Sequence, residues 1–242
     1  MTPRFQQPNQ WPKSLPVLNA EQKRIREDFY NVWLTELPKR YGIVEWFNHT
    51  YALRSLKLLS APIRTLDIGA GRGEHLEYED LSQQEYTALE LRPALAQQIK
   101  ERFPLAKTMV GDIQDHLEVA EGTFNRILAI HVLEHLPVLP KALDEIHRLL
   151  SPEGFFSVLI PCDPGFAYEL ARNISARRIF ENHYKQSYDW FIACEHINMP
   201  HEIIGQLEQQ FEIVHQTYFP LFVPVTPPNL IIGMTLKRRK KA

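Results

Sequence analysis

The feature that most constrains the fold is residues 63–74, where an apolar run leads into closely spaced glycines in the sequence IRTLDIGAGRGE. The apolar and β-branched residues predict a short buried strand, and the glycines predict the turn that leaves it. Glycine suits such a turn because it tolerates a positive φ and has no Cβ to hold a ligand away from the backbone. The stretch therefore predicts a strand-to-helix turn, which either binds a ligand's polar groups or serves only as a tight connection.

Apolar strands alternate with helical segments through the middle of the chain. The patterns predict strands over residues 85–90, 106–110, 124–130 and 155–160. Helices are predicted from Pro93 to Phe103 and from Val138 to Leu150, with a turn at residues 151–154. This alternation predicts parallel strands joined by crossover helices, in a sheet covered on both faces. Two later strands, over residues 211–219 and 229–236, would pair as a long hairpin across a proline-rich link.

The first 60 residues carry a different pattern. Four prolines among the first 18 residues predict an extended arm, and Asn19 is a suitable N-cap for an amphipathic helix over residues 20–37. A second helix is predicted over residues 43–60. Its Trp46, His49 and Tyr51 either line a cofactor pocket or belong to the core. We therefore divide the chain into an arm and helical cap at residues 1–60 and a main domain at residues 61–242.

Composition bears on partners and compartment. The chain has 242 residues and a net charge of −2, so it offers no global attraction to nucleic acid, and a nucleic-acid partner is not expected. Cys162 and Cys194 form no C-x-x-C pattern, which favours a reducing compartment. No stretch resembles a signal peptide or a membrane span. We expect a cytoplasmic protein, and the sequence does not indicate its oligomeric state.

The spacing of the glycines narrows the choice of ligand. A dinucleotide-binding loop has the pattern G-x-G-x-x-G, whereas here Gly73 comes one residue early. Two acids follow: Glu90 ends the second predicted strand and Asp112 follows the third. A carboxylate in the position of Glu90 can accept hydrogen bonds from both hydroxyls of a ribose. The alternatives are a solvated charge for Glu90 and an Asx turn for Asp112.

These residues, in this order along the strands, resemble the motifs of the class I S-adenosylmethionine-dependent methyltransferases. Residues 124–136 and 143–154 resemble the small-molecule, methyltransferase-11/23-like branch of that family, except that Asn125 replaces its usual aspartate. Because Asn125 begins a strand, away from the ligand edge, we expect little functional effect.

The resemblance implies an α/β fold with a Rossmann-like seven-stranded, mostly parallel sheet, its last strand antiparallel, and an N-terminal helical cap. It also implies S-adenosylmethionine as the methyl donor. The cofactor-binding residues would be Asp67, Gly69, Ala70, Gly71, Gly73, Glu90, Leu91, Asp112, Ile113 and His131.

Methyl transfer requires an acceptor aligned behind the sulfonium methyl group, and a hydroxyl acceptor benefits from a general base. His131, just past the fourth strand, is the first candidate for this base, and His196 is the second. The alternative for His131 is a neutral side chain whose backbone lines the cofactor site. Glu134 and His135 are expected to orient the following helix. The spacing of His183, His201 and His215 does not indicate metal ligands, so no metal is expected.

A variable insert at residues 163–199 is where the family keeps its acceptor specificity. Its aromatic residues and its cations either hold a sugar, an aromatic ring or an anionic group, or form a lid that packs only on the domain. The cations are Arg172, Arg177, Arg178 and Lys185.

We therefore expect methyl transfer to a small-molecule, saccharide or lipid-linked acceptor, at oxygen. The alternatives are a methyltransferase that acts on RNA or protein, and a catalytically silent S-adenosylmethionine-binding module. The basic run at residues 237–241 is expected either to be solvated or to make a weak contact with a membrane surface.

Overall fold

A seven-stranded sheet lies at the centre of the computed structural model, which describes residues 9–36 and 42–239. The strand order is β3-β2-β1-β4-β5-β7-β6. The strands are β1 (Ile63–Ile68), β2 (Gln84–Glu90), β3 (Lys107–Val110), β4 (Phe124–Ile130), β5 (Leu150–Pro161), β6 (Phe211–Phe219) and β7 (Ile231–Arg238).

Strands β1 to β5 pair in parallel, whereas β7 is antiparallel to both of its neighbours, β5 and β6. The prediction of a mostly parallel sheet with the last strand antiparallel is confirmed. Because parallel strands share one direction, the carboxyl ends of β1 to β5 lie along a single edge of the sheet, where ligands bind in open α/β folds.

Eight α-helices accompany the sheet within the described residues. They are α1 (Ala20–Glu36), α2 (Gly42–Ala52), α3 (Pro93–Arg102), α4 (Leu139–Leu149), α5 (Phe166–Ile174), α6 (Ala176–Tyr184), α7 (Asp189–Glu195) and α8 (Pro200–Gln210). Asn19 caps α1 as predicted, since its Oδ1 accepts the N–H of Gln22 at 2.8 Å. The predicted end of this helix at Leu37 lies outside the described residues.

The second predicted helix is shorter than expected. It ends at Ala52 and continues as a 3₁₀ helix over Leu53–Leu58. The carbonyl of Ala52 accepts hydrogen bonds from the Ser55 hydroxyl and from the buried guanidinium of Arg126, at 3.0 Å each. These side chains use the carbonyl that an α-helix would pair with the N–H four residues on.

Two connections differ from their predictions. No α-helix follows the glycine loop; only a 3₁₀ turn, His75–Tyr78, stands between β1 and β2, because the 15 residues that join these strands must also form the loop. Residues 151–154, predicted as a turn, lie within β5. Phe124 pairs with Leu150 and Arg126 with Phe155, so these four residues form a local irregularity opposite Asn125.

Asn125 itself joins the beginnings of two strands. Its side-chain amide donates to Pro62 O at 2.8 Å and its carbonyl accepts from Arg64 N at 2.8 Å. This contact holds the amino-terminal end of β1 beside β4. It lies at the opposite end of these strands from the glycine loop, as the sequence predicts.

Helix α1 packs on the insert rather than on the central sheet. The side chain of Phe29 is fully buried and makes edge contacts with Phe180 and Phe191, with ring centroids 5.0 Å apart in both cases. Ile25, Ala176 and Tyr188 complete this aromatic cluster. The α1–insert assembly therefore has an apolar core of its own, beside the carboxyl edge of the sheet.

The described part of the arm, from residue 9, also contacts the main domain. Trp11 Nε1 donates to Asn198 Oδ1 at 2.9 Å, and the buried Lys13 ammonium donates to Glu202 Oε1 at 2.6 Å. Both cysteines are free and buried. Among the residues that the structure describes, no helix is long and apolar enough to cross a membrane.

The first residues of the basic run belong to the sheet. Lys237 lies over the ring of Phe155, with its Nζ 4.7 Å from the ring centroid, and Arg238 donates to Leu150 O at 3.0 Å. Lys240 and Lys241 lie outside the described residues, and the membrane-surface contact stays a prediction.

Candidate active site

The glycine loop has the backbone conformation that its sequence predicts. Gly69, Gly71 and Gly73 have φ values of +67°, +61° and +86°, which L side chains rarely adopt. A Cβ on Gly69 would also lie 2.7 Å from Val132 Cγ2, in the segment that follows β4. The loop at the end of β1 is therefore packed directly against the residues that follow His131.

Glu90 lies at the carboxyl end of β2, facing the same loop. The residue is buried, and its carboxylate accepts three hydrogen bonds of 3.0 Å each, from Gly71 N, Arg92 N and Arg92 Nε. The guanidinium of Arg92 also lies over the ring of Tyr30 in α1, 5.3 Å from its centroid. The Glu90 carboxylate is thus fixed beside the glycine loop.

Asp67 is more deeply buried than a side chain that contacts a ligand at the protein surface would be. It is buried, and its Oδ2 accepts the hydroxyl proton of Tyr86 at 2.8 Å. Burial raises the pKa of Asp67 to about 7, against the opposing effect of the Tyr86 hydrogen bond. Tyr86 is a contact that sequence reasoning did not find.

Asp112 and its neighbours lie along the next part of the edge, after β3. The Asp112 carboxylate accepts from Gln114 N at 2.9 Å and from the Gln114 side-chain amide at 3.1 Å, which is an Asx turn. Ile113 is buried, whereas Leu91 is 61 % exposed. Leu91, Asp112 and Ile113, three of the predicted cofactor-binding residues, thus lie along one edge, but the Asx-turn alternative for Asp112 also describes what the structure shows.

A cavity of about 240 Å³ lies beside the glycine loop, at the ends of β4 and β7. The insert contributes Tyr168, Arg172, Phe191, Ile192 and His196, and the segment after β4 contributes His131, Glu134 and His135. Sequence reasoning missed Tyr30 of α1 and Val44, Glu45 and Asn48 of α2, which also line it. The aromatic residues singled out on α2, Trp46, His49 and Tyr51, are not among its lining residues.

His131 lies where the cavity meets the glycine loop. Its φ of +54° is unusual for a residue with a side chain, its imidazole is about 30 % exposed, and its Nδ1 is 3.2 Å from Glu134 Oε1. Burial opposes protonation, but the hydrogen bond with Glu134 and the charges of Glu134 and Glu45 outweigh it and raise the pKa of His131. The structure therefore places both predicted catalytic histidines, His131 and His196, on one cavity wall.

Both of the other histidines on this wall are held through one ring nitrogen. His196 Nδ1 is 2.8 Å from Asp163 Oδ2, and His135 Nδ1 is 2.7 Å from the carbonyl oxygen of Glu195. Because both acceptors are oxygen atoms, each Nδ1 donates the hydrogen, and Nε2 is the ring nitrogen that this hydrogen bond does not use. The two rings lie with their centroids 5.5 Å apart.

Most of the insert's aromatic residues and cations are committed within the fold. Phe180 and Tyr188 are fully buried in the aromatic cluster. Arg177 pairs with Asp189 at 2.5 Å, and Arg172 pairs with Asp163 at 2.7 Å at the cavity wall. The sequence left two alternatives for the insert. The aromatic cluster packs within the fold, as the lid alternative predicts, and only the insert residues that line the cavity are placed to contact a ligand.

This fold, with its glycine loop, buried acid and adjoining cavity, is that of a class I methyltransferase. The chain belongs to the methyltransferase domain family, whose model matches residues 45–216. The matched family and the similar fold agree with the resemblance that the sequence predicts.

Known proteins are similar in sequence to parts of this chain. The probable phthiotriol/phenolphthiotriol dimycocerosates methyltransferase 2 of Mycobacterium ulcerans is 30 % identical over 114 residues, covering 45 % of this chain and 44 % of that protein. The mitochondrial arginine-hydroxylase NDUFAF5 of Rattus norvegicus is 32 % identical over 151 residues, covering 60 % of this chain and 42 % of that protein. The chain thus spans less than half the length of these two relatives.

A solved structure with a similar fold is the 1,6-didemethyltoxoflavin-N1-methyltransferase of Burkholderia thailandensis, with bound 1,6-didemethyltoxoflavin and S-adenosylhomocysteine. Its TM-score is 0.60 at 19 % identity, and the alignment covers 94 % of this chain and 93 % of that chain.

Proposed function

We propose that this methyltransferase transfers a methyl group to a hydroxyl oxygen of a small acceptor that binds in the cavity beside His131. The observation that carries the proposal is the packing of Gly69, in the predicted methyl-donor loop, against Val132, which lies between the cavity residues His131 and Glu134. A cavity of about 240 Å³, lined by apolar side chains and a few polar ones, suits a small molecule.

The cofactor would lie along the carboxyl ends of β1, β2 and β3. In this proposal the loop residues Gly69 to Gly73 receive its amino-acid end, Glu90 its ribose, and Leu91, Asp112 and Ile113 its adenine. Asp67 supports the loop from below through its bond to Tyr86. The sulfonium of the cofactor supplies the leaving group, so the chain's own task is to align the acceptor and exclude water.

His131 is our candidate for the general base. Its Nδ1 is held by Glu134, which leaves Nε2 to accept a proton from an acceptor hydroxyl in the cavity. The cavity favours an acceptor with an apolar body, because Val44, Phe191, Ile192, Leu230 and Ile231 form much of its wall. A lipid-like acceptor fits this wall better than a saccharide, since Phe180 and Tyr188 are not available for stacking.

RNA or protein as the acceptor has less support. The cationic side chain of the cavity wall that would meet a phosphate or an acidic peptide is Arg172, and it is already paired with Asp163. One relative is named a hydroxylase, so an activity assay must also separate methyl transfer from hydroxylation.

Calorimetry with S-adenosylhomocysteine tests the cofactor site. We expect Glu90→Gln to weaken binding by about 10-fold or more, because a charged acceptor of hydrogen bonds is worth about 1.5–3 kcal/mol. Glu85→Gln, an exposed change on the same strand, is the matched control and should bind like the parent. Equal affinity of the Glu90 variant and the control would contradict the assignment.

Mass spectrometry of a panel of hydroxylated lipids, sterols and phenols, incubated with S-adenosylmethionine, tests the acceptor. The expected product gains one methyl group at oxygen, and His131→Asn should lower kcat at unchanged cofactor affinity. His183→Asn, at an exposed position, is the control. A product that gains only an oxygen atom, or methylation confined to RNA or protein substrates, would overturn the proposal.

A further inference from the structure

The structure assigns a divalent transition-metal site to Glu134, His135 and His196 on the wall of the acceptor cavity. One ligand atom from each of the three side chains lies within 4.8 Å of the other two. Two imidazoles and one carboxylate are a ligand set that zinc and related divalent ions accept, with an open position for water or substrate. This replaces the expectation of no metal, which was drawn from the spacing of other histidines.

The orientation of the two histidines supports this assignment. Metal-binding histidines generally donate their second ring N–H to a carboxylate or a backbone carbonyl, which fixes the tautomer and the ring plane. His196 does so to Asp163, and His135 does so to the carbonyl of Glu195. In both rings the nitrogen that remains for an ion is Nε2.

The carboxylate supplies an independent observation. The Glu134 side chain is only 2 % exposed, and its Oε2 has no hydrogen-bond partner among the residues that the structure describes. A buried carboxylate oxygen without a partner costs free energy unless a cation or a donor reaches it. A metal ion bound through Oε2 would provide that partner.

The distances are compatible with coordination after small side-chain movements. His135 Nε2 lies 3.9 Å from Glu134 Oε1. Ligand atoms about 2.1 Å from a tetrahedral zinc ion lie about 3.4 Å apart, so this pair would close by roughly half an ångström and the other pairs by at most about 1.4 Å. His135 is about 37 % exposed and lines the cavity, so an ion can reach the site.

Such an ion would bind the acceptor. This role of the ion rests on the proposed function. The open coordination position would take the oxygen of the acceptor, and a divalent ion orients such an oxygen and makes its hydroxyl easier to deprotonate. In this arrangement His196 would be a ligand rather than a second base, and His131 would keep the role proposed above. Among acceptors, those with adjacent oxygen atoms that chelate one ion would be favoured.

Titration of the chelator-treated protein with ZnCl₂ by calorimetry tests the site, with CoCl₂ absorption as a second probe. We expect one ion per chain, and a loss of at least about 10-fold in affinity for each of Glu134→Gln, His135→Gln and His196→Gln. Asp163→Asn, which keeps all three ligands, should weaken binding by about 10- to 100-fold. His201→Gln, at an exposed position, is the control and should not change affinity.

Circular dichroism of the metal-free proteins shows which variants fold. If the buried Glu134→Gln variant does not fold, the two histidine variants still test the site. A parent protein that binds no zinc, or ligand variants that bind as tightly as the parent, would overturn the site. Neither result bears on cofactor binding, because S-adenosylhomocysteine affinity is measured separately on the metal-free protein. Failure of the Glu90 experiment likewise leaves the zinc titration unaffected.

Discussion

Asp67 is a buried carboxyl group whose principal donor, Tyr86, is buried as well. Burial raises its pKa to about 7, so in the folded chain it keeps its proton up to roughly neutral pH, whereas in the unfolded chain it ionises near pH 4. Between these values the folded state binds more protons, and its stability falls as the pH rises.

We therefore predict that Asp67→Asn removes a pH-dependent loss of stability. The parent should lose about 1.4 kcal/mol per pH unit relative to the variant between about pH 4 and pH 7, a few kcal/mol in all, with no further change above that range. Urea unfolding of both proteins across this range measures the difference. The exposed Asp115→Asn is the control, and a constant difference between parent and Asp67→Asn would contradict the prediction.

At the scale of single residues, the sequence predicted backbone conformation better than side-chain contacts. The glycine spacing indicated positive φ values, and all three glycines have them. The contact between Asp67 and Tyr86 was not predicted, because these side chains meet only after β1 and β2 pair in register. Arg92 is only two residues from Glu90, but the direction of its guanidinium toward that carboxylate was not predicted either. Single-residue patterns carry no signal for such pairings.

At the scale of elements, α1 and the insert helices stabilise one another through Phe29. We predict that Phe29→Ala lowers the free energy of unfolding of this assembly by about 3–5 kcal/mol, since it removes a fully buried ring from an aromatic cluster. Hydrogen exchange should show faster exchange in α1, α6 and α7, while β1 and β4 keep their protection.

The matched control for this change is Phe166→Ala, because Phe166 is largely exposed on α5. It should leave exchange in α1 unchanged. Uniform loss of protection across the sheet in Phe29→Ala would show instead that α1 and the insert unfold together with the whole chain.

Strands were easier to predict than helices in this chain. Largely apolar runs such as that of β4 have few alternatives once they are buried on both faces, so the predicted strands were found near their expected bounds, except that β5 begins at Leu150 instead of Phe155. The end of α2 at Ala52 and the 3₁₀ turn at His75–Tyr78 depend on long-range contacts, including that of Arg126 with the Ala52 carbonyl. Local patterns could not indicate either.

At the scale of the whole molecule, one buried ion pair joins three parts of the chain. Arg126 in β4 is fully buried and contacts Glu79 at 2.8 Å, before β2, and the Ala52 carbonyl at the end of α2. Burial would raise the pKa of Glu79, but the contacts with His75 and Arg126 outweigh the effect of burial and lower this pKa to about 2. The carboxylate therefore stays charged and depends on its cation.

We predict that Arg126→Met destabilises the protein by about 3–5 kcal/mol, because Glu79 is left as a buried charge without its arginine. The double variant Arg126→Met/Glu79→Gln should recover part of that loss. Thermal and urea unfolding measure both, with Arg64→Met on the exposed side of β1 as the control. A double variant less stable than Arg126→Met would show that the pair is not coupled in this way.

The hydrogen bonds of the Glu90 carboxylate bear on how the proposed cofactor site and the acceptor cavity are coupled. A carboxylate offers about four acceptor positions, and three are already taken, so two ribose hydroxyls can bind only if a donor leaves. The donor free to leave is the Arg92 guanidinium, which stacks on Tyr30, a residue of the acceptor cavity wall. In the proposed function, filling one pocket would therefore alter the other, and by thermodynamic reciprocity the acceptor and the methyl donor would change each other's affinity by the same factor through a single arginine.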